Sequence, residues 1–339
     1  MRILYFIIRY ILGSKRMRRY RRSFLVRSFR KLRRRIRIRR VIKHMASLAV
    51  TAAAWGLAIS SYEKNHPVYA RYRQDSHGKL EKPVRLVFLT DLHEKEFGRG
   101  NRKLLSMIDK VSPDAILIGG DMPTAYGRKV QTEDPNLSGE SERHGISRLL
   151  HRKSRGCRCR VSLELCRRLA QKYPVYYGLG NHELRMPEGY MKKIAAMGVK
   201  VLDDEAASFK GIDIVGLTLP RSCYGKGKFE RPDIGEILGK TGNFGPDRYT
   251  VMMAHSPNFL DEYALTGADL VLSGHFHGGT IRLTKEMGLM TPQYQLFNSN
   301  CHGIKHKDGT DMIISSGLGT HSINIRINDR PEVVVVDVR

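Results

Sequence analysis

Five short apolar runs in this 339-residue chain each stop at a residue able to bind a metal ion. RLVFLT leads into Asp91-Leu92-His93, and AILIGG into Asp121. VYYGLG leads into Asn181-His182-Glu183, TVMMA into His255, and LVLSG into His275-Phe276-His277. Runs of this length read as buried strands, and in open α/β sheets ligands gather outside the carboxyl ends of the strands, where the loops converge. Residues almost two hundred positions apart are thereby expected to meet.

The rest of the chain from Val84 onwards keeps the same rhythm. Strands are expected at Val84–Leu89, Ala115–Ile118, Val175–Tyr177, Lys200–Leu202, Ile212–Leu217, Thr250–Ala254, Leu270–Leu272, Met312–Ser315 and Val333–Val338. Helices are expected at Asn101–Val111, Ser162–Lys172, Glu188–Met197, Asp233–Gly239 and Asn258–Thr266. The alternation predicts an α/β domain over 84–339. A polar, Ser/Arg/Glu-rich stretch, 127–160, breaks it and reads as an exposed insertion. Cys157, Cys159, Cys166, Cys223 and Cys301 are too few and too scattered for a disulfide scaffold, and Cys157-x-Cys159 lacks the spacing of a zinc knuckle.

Taken singly, each strand-end residue has an ordinary explanation: an Asp is commonly a turn former, and a His beside an apolar run is commonly structural. The series Asp-x-His, Gly-Asp, Gly-Asn-His-Glu, a strand-end His and Gly-His-x-His-Gly-Gly does not. In this order the blocks resemble those of the calcineurin-like metallophosphoesterase superfamily, over roughly Val84 to Arg339. The closing run GLGTHSINIRINDRPEVVVVDV resembles a bacterial membrane-associated branch, which includes exported cell-wall phosphoesterases and UDP-diacylglucosamine hydrolases. Thr280 stands where that branch usually has Gln, and His321-Ser322 where a Ser-Gly pair is commoner.

The resemblance implies a layered fold of two mixed β-sheets packed together and flanked by helices. It implies two divalent metal ions: Asp91, His93 and His277 on the first, Asn181, His255 and His275 on the second, with Asp121 bridging. The mixed nitrogen and oxygen donors suit Mn, Fe, Zn, Co or Ni, with Mn favoured, over Ca or Mg. Two ions about 3.5–4 Å apart acidify a bridging water, and the hydroxide would attack phosphorus in line. His182 would stabilise the transition state or protonate the departing alkoxide. Glu183 is expected to orient its neighbours, and Gly278 and Gly279 to permit close backbone approach.

The N-terminus carries a different message. Met1 to Lys43 holds 18 of the 59 Lys and Arg and no acid; the first carboxylate is Glu63. The remainder carries 41 basic residues against 33 acids, so most of the net charge of +26 belongs to this tail. The uncharged stretch Met45–Tyr62 follows, 18 residues long and Ala-rich, at the short end of the roughly 17–25 residues that span a bilayer. A signal anchor keeps residues 1–44 in the cytoplasm as a basic or disordered tail, as the positive-inside rule demands. A cleaved signal peptide with a site near Ala58-Ile59-Ser60, or a buried helix of a soluble protein, are the other readings. Arg21-Arg22-Ser23-Phe24-Leu25 looks like a twin-arginine signal, but the apolar run does not follow at once. Residues 63–83 then form a linker, and the catalytic domain lies outside the cytoplasm, tethered or released.

The expected partners are a phosphoester substrate, lipid- or nucleotide-linked, and anionic membrane lipids at the basic tail. A nuclease gripping nucleic acid with that tail, and an inactive metal-binding scaffold, are the competing functions.

Overall fold

The computed structural model describes residues 15–125, 157–187, 189–242, 244, 247–320 and 323–339. They form two compact units, divided between Ala58 and Ile59. The first is most of one helix, α1 (Lys15–Lys64), which covers both the expected apolar segment and much of the expected basic tail. Among its exposed apolar side chains, Leu48, Val50 and Trp55 are about 70 % exposed. Over Arg27–Lys64 it is long and apolar enough to cross a membrane, by length and composition.

The second unit holds two six-stranded sheets. The first contains β1 (Val68–Gln74), β2 (Val84–Leu89), β3 (Ala115–Ile118), β6 (Val175–Gly178), β7 (Lys200–Leu202) and β16 (Glu332–Val338), in the order β1-β16-β2-β3-β6-β7. Only the pairing of β16 with β2 is antiparallel, with Val335 opposite Val87. The second contains β8 (Glu205–Phe209), β9 (Ile212–Leu217), β10 (Tyr249–Ala254), β11 (Leu270–Ser273), β14 (Gly303–Lys307) and β15 (Thr310–Ile314), in the order β14-β15-β11-β10-β9-β8. Its central strands are parallel and both edge strands antiparallel. Two-stranded ribbons, β4 (Thr124–Ala125) with β5 (Cys157–Arg158) and β12 (Gly288–Met290) with β13 (Leu296–Asn298), complete the set.

The side-chain period of two explains the layering. Leu86 and Phe88 of β2 join Leu117, Val251, Leu272 and Val336 in a core between the sheets. Val87 and Leu89 point the other way, against Leu104 and Ile108 of α2 (Arg102–Val111), Leu165 of α3 (Arg160–Ala170) and Ile194 of α4 (Gly189–Ala195). On the far face of the second sheet, Met252 and Val271 meet Ile237 of α5 (Ile234–Thr241) and Tyr263 of α6 (Leu260–Ala264). Central strands are thus buried on both faces, which is why they read as continuous apolar runs. A Leu→Ala change at Leu86 or Leu117, each wholly buried, costs about 2–5 kcal/mol. The helices end on local signals: Asp233 accepts from Glu236 N to cap α5, and Gly242 stops it with φ 75°.

The expected two mixed sheets flanked by helices are present, and the differences lie at the sheet edges. The stretch read as a linker, 63–83, contains β1, which pairs with β16 along its whole length. Its sequence VYARYRQ carries two arginines, as edge strands do, and so lacks the apolar run of a central one. The edge strands β8 and β14 escaped for the same reason. Most of the insertion lies outside the described residues, as do His321-Ser322; its end, Cys157–Arg160, forms β5 and opens α3. Cys166, Cys223 and Cys301 are buried free thiols.

The compact unit also begins earlier than Val84. The last turn of α1 is held by the loop before β16: Arg326 N donates to Ser60 Oγ at 3.0 Å, Asp329 N to Glu63 Oε2 at 3.1 Å, and Lys64 Nζ to Asn324 O at 2.9 Å.

Candidate metal centre

Five strands of the two sheets deliver their C-terminal loops to one place. β2 ends in Asp91 and His93, β3 in Asp121, β6 in Asn181 and His182, β10 in His255, and β11 in His275 and His277. Three sets each place one donor atom per residue within 4.8 Å of the others: Asp91 with His93 and His277, Asp121 with His255 and His275, and His93 with Asp121 and His182. Asp121 Oδ2 lies 3.7 Å from His93 Nε2 and 3.3 Å from His255 Nε2, touching both groups. Asp91 Oδ1 lies 3.4 Å from His277 Nε2 and 3.7 Å from His255 Nε2, so it too sits between them. Asn181 is buried on the same loop as His182.

The backbone is bent to achieve this. Asp91, His93, Asp121, His275 and His277 all have φ between 46° and 68°, a region uncommon outside glycine that costs of order 1–3 kcal/mol per residue. Five such residues in one site mark a conformation held by its surroundings. Gly120, with φ 88°, packs so closely on Gly180 that a Cβ would overlap that backbone. The loops after β3 and β6 therefore touch main chain to main chain. Gly278 and Gly279, also left-handed, give room to the Asp329 carboxylate and to the Gly288 backbone respectively.

Hydrogen bonds set the direction of Asp91, Asp121, His255 and His277. Thr90 Oγ1 and His275 N both donate to Asp91 Oδ2, at 3.1 and 2.9 Å. His182 N donates to Asp121 Oδ1 at 2.7 Å, leaving Oδ2 for the site. The imidazole Nδ1 of His255 donates to Gly119 O at 2.7 Å, and that of His277 to Gly319 O at 3.2 Å. With the proton on Nδ1, the Nε2 lone pair of each faces inward, the arrangement of a metal-binding histidine. His182 is wired the opposite way. Its Nδ1 accepts from Ala125 N at 2.9 Å, so the neutral ring carries its proton on Nε2, 3.9 Å from Asp121 Oδ2.

Glu183 is buried and accepts four hydrogen bonds, from Asp121 N, Met122 N, Gly180 N and Tyr177 Oη, at 2.7–3.0 Å. It thus binds the two metal-loop backbones together. Arg326, wholly buried, plays a similar part further out. It donates to the carbonyls of Ser316 and Gly319, the latter shared with His277, and pairs with Asp329 at 2.9 Å. Thr90, Tyr177 and Arg326 were not singled out from sequence. The apolar flank of Thr90 and Tyr177 hides them, and Arg326 is one of many arginines.

The site's charge balance favours a cation. Burial pushes Asp91 up to about 6, and burial with the Asp121 carboxylate lifts Glu183 to about 7. Burial pulls the His255 imidazole down, but Asp121 and Asp91 more than offset it and raise it to about 10. Asp121, despite burial, is held well below the usual carboxylate range by His255, His182 and His93. His182 is lowered by burial. Asp91 Oδ1 and Asn181 Oδ1 are buried acceptors without a hydrogen-bond partner among the described residues, an arrangement that costs free energy unless a positive charge meets them. Carboxylate, amide and imidazole donors so placed fit divalent ions of the first transition row.

The sequence pattern of calcineurin-like phosphoesterases matches residues 84–279. An uncharacterized metallophosphoesterase of Campylobacter jejuni is 27 % identical over 77 % of this chain and 60 % of its own length. One of Bacillus subtilis is 23 % identical over 74 % of this chain and 82 % of its own. A zebrafish transmembrane protein with a metallophosphoesterase domain is 24 % identical over 74 % of this chain and 52 % of its own. The chain thus spans about three fifths of the length of the Campylobacter relative.

Proposed function

From the premise that this chain belongs to the calcineurin-like phosphoesterase family, we propose that it hydrolyses phosphodiesters or pyrophosphates at a centre for two metal ions. Asp91, His93 and His277 would hold one ion, Asn181, His255 and His275 the other, and Asp121 would serve both. The observation that carries this reading is the convergence of these donors with two orphaned buried oxygens, Asp91 Oδ1 and Asn181 Oδ1. Bound there, divalent ions, Mn above all, supply the Lewis acidity that activates water and neutralises phosphate charge.

The chain's own contribution is positioning and hydrogen bonding. Thr90 and His275 N fix the Asp91 carboxylate, His182 N fixes that of Asp121, and Glu183 locks the loops that carry Asp121 and Asn181. His182 presents Nε2–H to the site. Because Ala125 N occupies Nδ1, forming an imidazolium would set two N–H groups against each other. His182 therefore acts as a neutral donor that hydrogen-bonds phosphoryl or leaving-group oxygen as charge builds there.

Helix α1 anchors the chain, with its basic residues on the cytoplasmic side and the metal centre outside, following the positive-inside rule. Anionic lipid headgroups are the partners of those basic residues. Hydrolysis of bis-p-nitrophenyl phosphate by the Mn-loaded chain, absent with chelator and in Asp121→Asn, is the expected result. No turnover with two ions bound per chain would overturn the assignment.

A further inference from the structure

Tyr224 stands beside the metal centre and is none of its proposed ligands. It closes the single turn Arg221–Tyr224 after β9. Its ring meets that of His275 edge-on, with centroids 5.0 Å apart at 72°, and that of His255 at 6.0 Å and 49°. His255 and His275 are the imidazoles proposed for one ion. His182 makes the matching contact with the other set, edge-on to His93 at 4.7 Å and 78°. Two rings that carry a hydrogen-bond donor therefore flank the centre, one beside the ligands of each ion. The turns that bear them also come together: burial and then the Arg221 charge lower Arg185, in the turn after His182, while Asp121 raises it.

The residue is held in place, but its hydroxyl is not. Gln293 Nε2 donates to Cys223 O and Gly225 O, at 3.1 and 3.2 Å, the carbonyls on either side of Tyr224. Asn258, three residues after His255, donates to Gln293 Oε1 at 2.8 Å. The ring packs against the apolar cluster that includes Phe259 and Tyr263, a contact that phenylalanine would make equally well. What sets Tyr224 apart is the hydroxyl. Among the described residues it has no hydrogen-bond partner, whereas Tyr177 and Tyr263 spend theirs on Glu183 and on Ser256 O, at 2.7 and 2.9 Å. Burial, Tyr263 and then the Asp121 carboxylate hold the phenol well above its ordinary range, so the hydroxyl lies in the field of the centre and keeps its proton.

We infer that Tyr224 is a further catalytic residue, whose hydroxyl donates a hydrogen bond to a non-bridging oxygen of the phosphoryl group on the side of His255 and His275. The inference rests on the phosphoesterase reading and adds a residue to it. The phenol donates without giving up its proton, so it supplies a fixed dipole and no general acid. Donors already aimed at the oxygens where charge builds stabilise the transition state most, because they need no reorganisation during the reaction. The grip of Gln293 on both flanking carbonyls provides that fixed aim. A neutral donor also brings no further charge into a buried site, and so avoids the desolvation that another lysine or arginine would cost there. His182 and Tyr224 then serve the same group from two sides.

The test is Tyr224→Phe in the Mn-loaded full chain, which removes the hydroxyl and leaves the ring on His275. Calorimetric titration with inorganic phosphate should show affinity about ten- to hundredfold weaker than in the unsubstituted protein, as the loss of one hydrogen bond to a charged oxygen requires. Manganese stoichiometry should be unchanged. Turnover of bis-p-nitrophenyl phosphate should fall on the order of a hundredfold, in kcat more than in KM. Phosphate affinity equal to that of the unsubstituted protein would overturn the inference. So would loss of manganese from the variant, which would make Tyr224 a support for His275 and nothing more. Turnover by the unsubstituted protein reads the phosphoesterase assignment separately. Turnover with unchanged phosphate affinity in Tyr224→Phe removes only the tyrosine; weakened affinity with no turnover by either protein removes only the esterase and leaves the hydroxyl on the phosphoryl oxygen.

Discussion

The backbone N–H of Ala125 donates to Nδ1 of His182 across 2.9 Å. Ala125 belongs to the two-residue strand β4, four positions after Asp121, and that contact fixes which ring nitrogen of His182 faces the metal centre. His255 and His277 have their Nδ1 atoms bonded to carbonyls instead. One site thus holds histidines with opposite proton placement, and the polarity of a main-chain partner sorts ligand from donor.

His182→Ala should lower kcat by about 10²–10⁴-fold, with both ions retained by metal analysis. His182→Gln supplies a neutral N–H and should recover part of that loss. A Gln variant as slow as the Ala variant would mean that His182 works as an imidazolium acid.

Metal-free protein should lose stability as pH rises from about 6.5 to about 10. His255 titrates near 10 in the folded chain against about 6.5 when unfolded. The folded state therefore binds the extra proton across this window, and stability present below it is lost on passing through the folded value. Mn-loaded protein keeps His255 neutral, with its one proton on Nδ1, and should lack this slope. Melting curves at several pH values, with and without chelator, check the difference.

Glu183→Ala strands three buried N–H groups and the Tyr177 hydroxyl, and should cost on the order of 3 kcal/mol or more. Denaturant unfolding measures this. The loss should exceed that of an Ala substitution at Glu164, whose partners are exposed arginines.

Gly120→Ala should abolish binding of the second ion. The new Cβ would overlap the Gly180 backbone at a left-handed φ, forcing apart the loops that carry Asp121 and Asn181. Manganese stoichiometry on purified protein tests it, with Gly309→Ala as the comparison, since Gly309 shares the left-handed φ but faces open space.

The central strands and the strand-end blocks were legible because both depend on local patterns: a strand buried on two faces is apolar throughout, and its terminal ligand follows directly. The edge strands β1, β8 and β14 were not, since residues such as Arg71, Arg73, Glu205 and Lys305 interrupt any run. Glu183 was legible as an orienting residue, but two of its four donors, Asp121 N and Met122 N, come from a stretch some sixty residues away. No sequence spacing marked Arg326, because its guanidinium is buried only once Asp329 and the carbonyls of Ser316 and Gly319 close around it. The left-handed ligands were equally hidden, since Asp and His carry no signature of φ.

The placement of β16 between β1 and β2 has a consequence for synthesis. The ribosome releases Val68–Gln74 more than 250 residues before Glu332–Val338, yet among the described residues β16 is the only partner of β1 in the sheet. The nascent chain accordingly emerges with one edge of its first sheet open, and closure waits until Glu332–Val338 has left the exit tunnel. Arg326, which joins the end of α1 to the carbonyl behind His277, arrives just before that stretch. A polypeptide stalled short of residue 320 would carry every proposed ligand and still lack Arg326, so the centre waits on residues synthesised after all of its ligands.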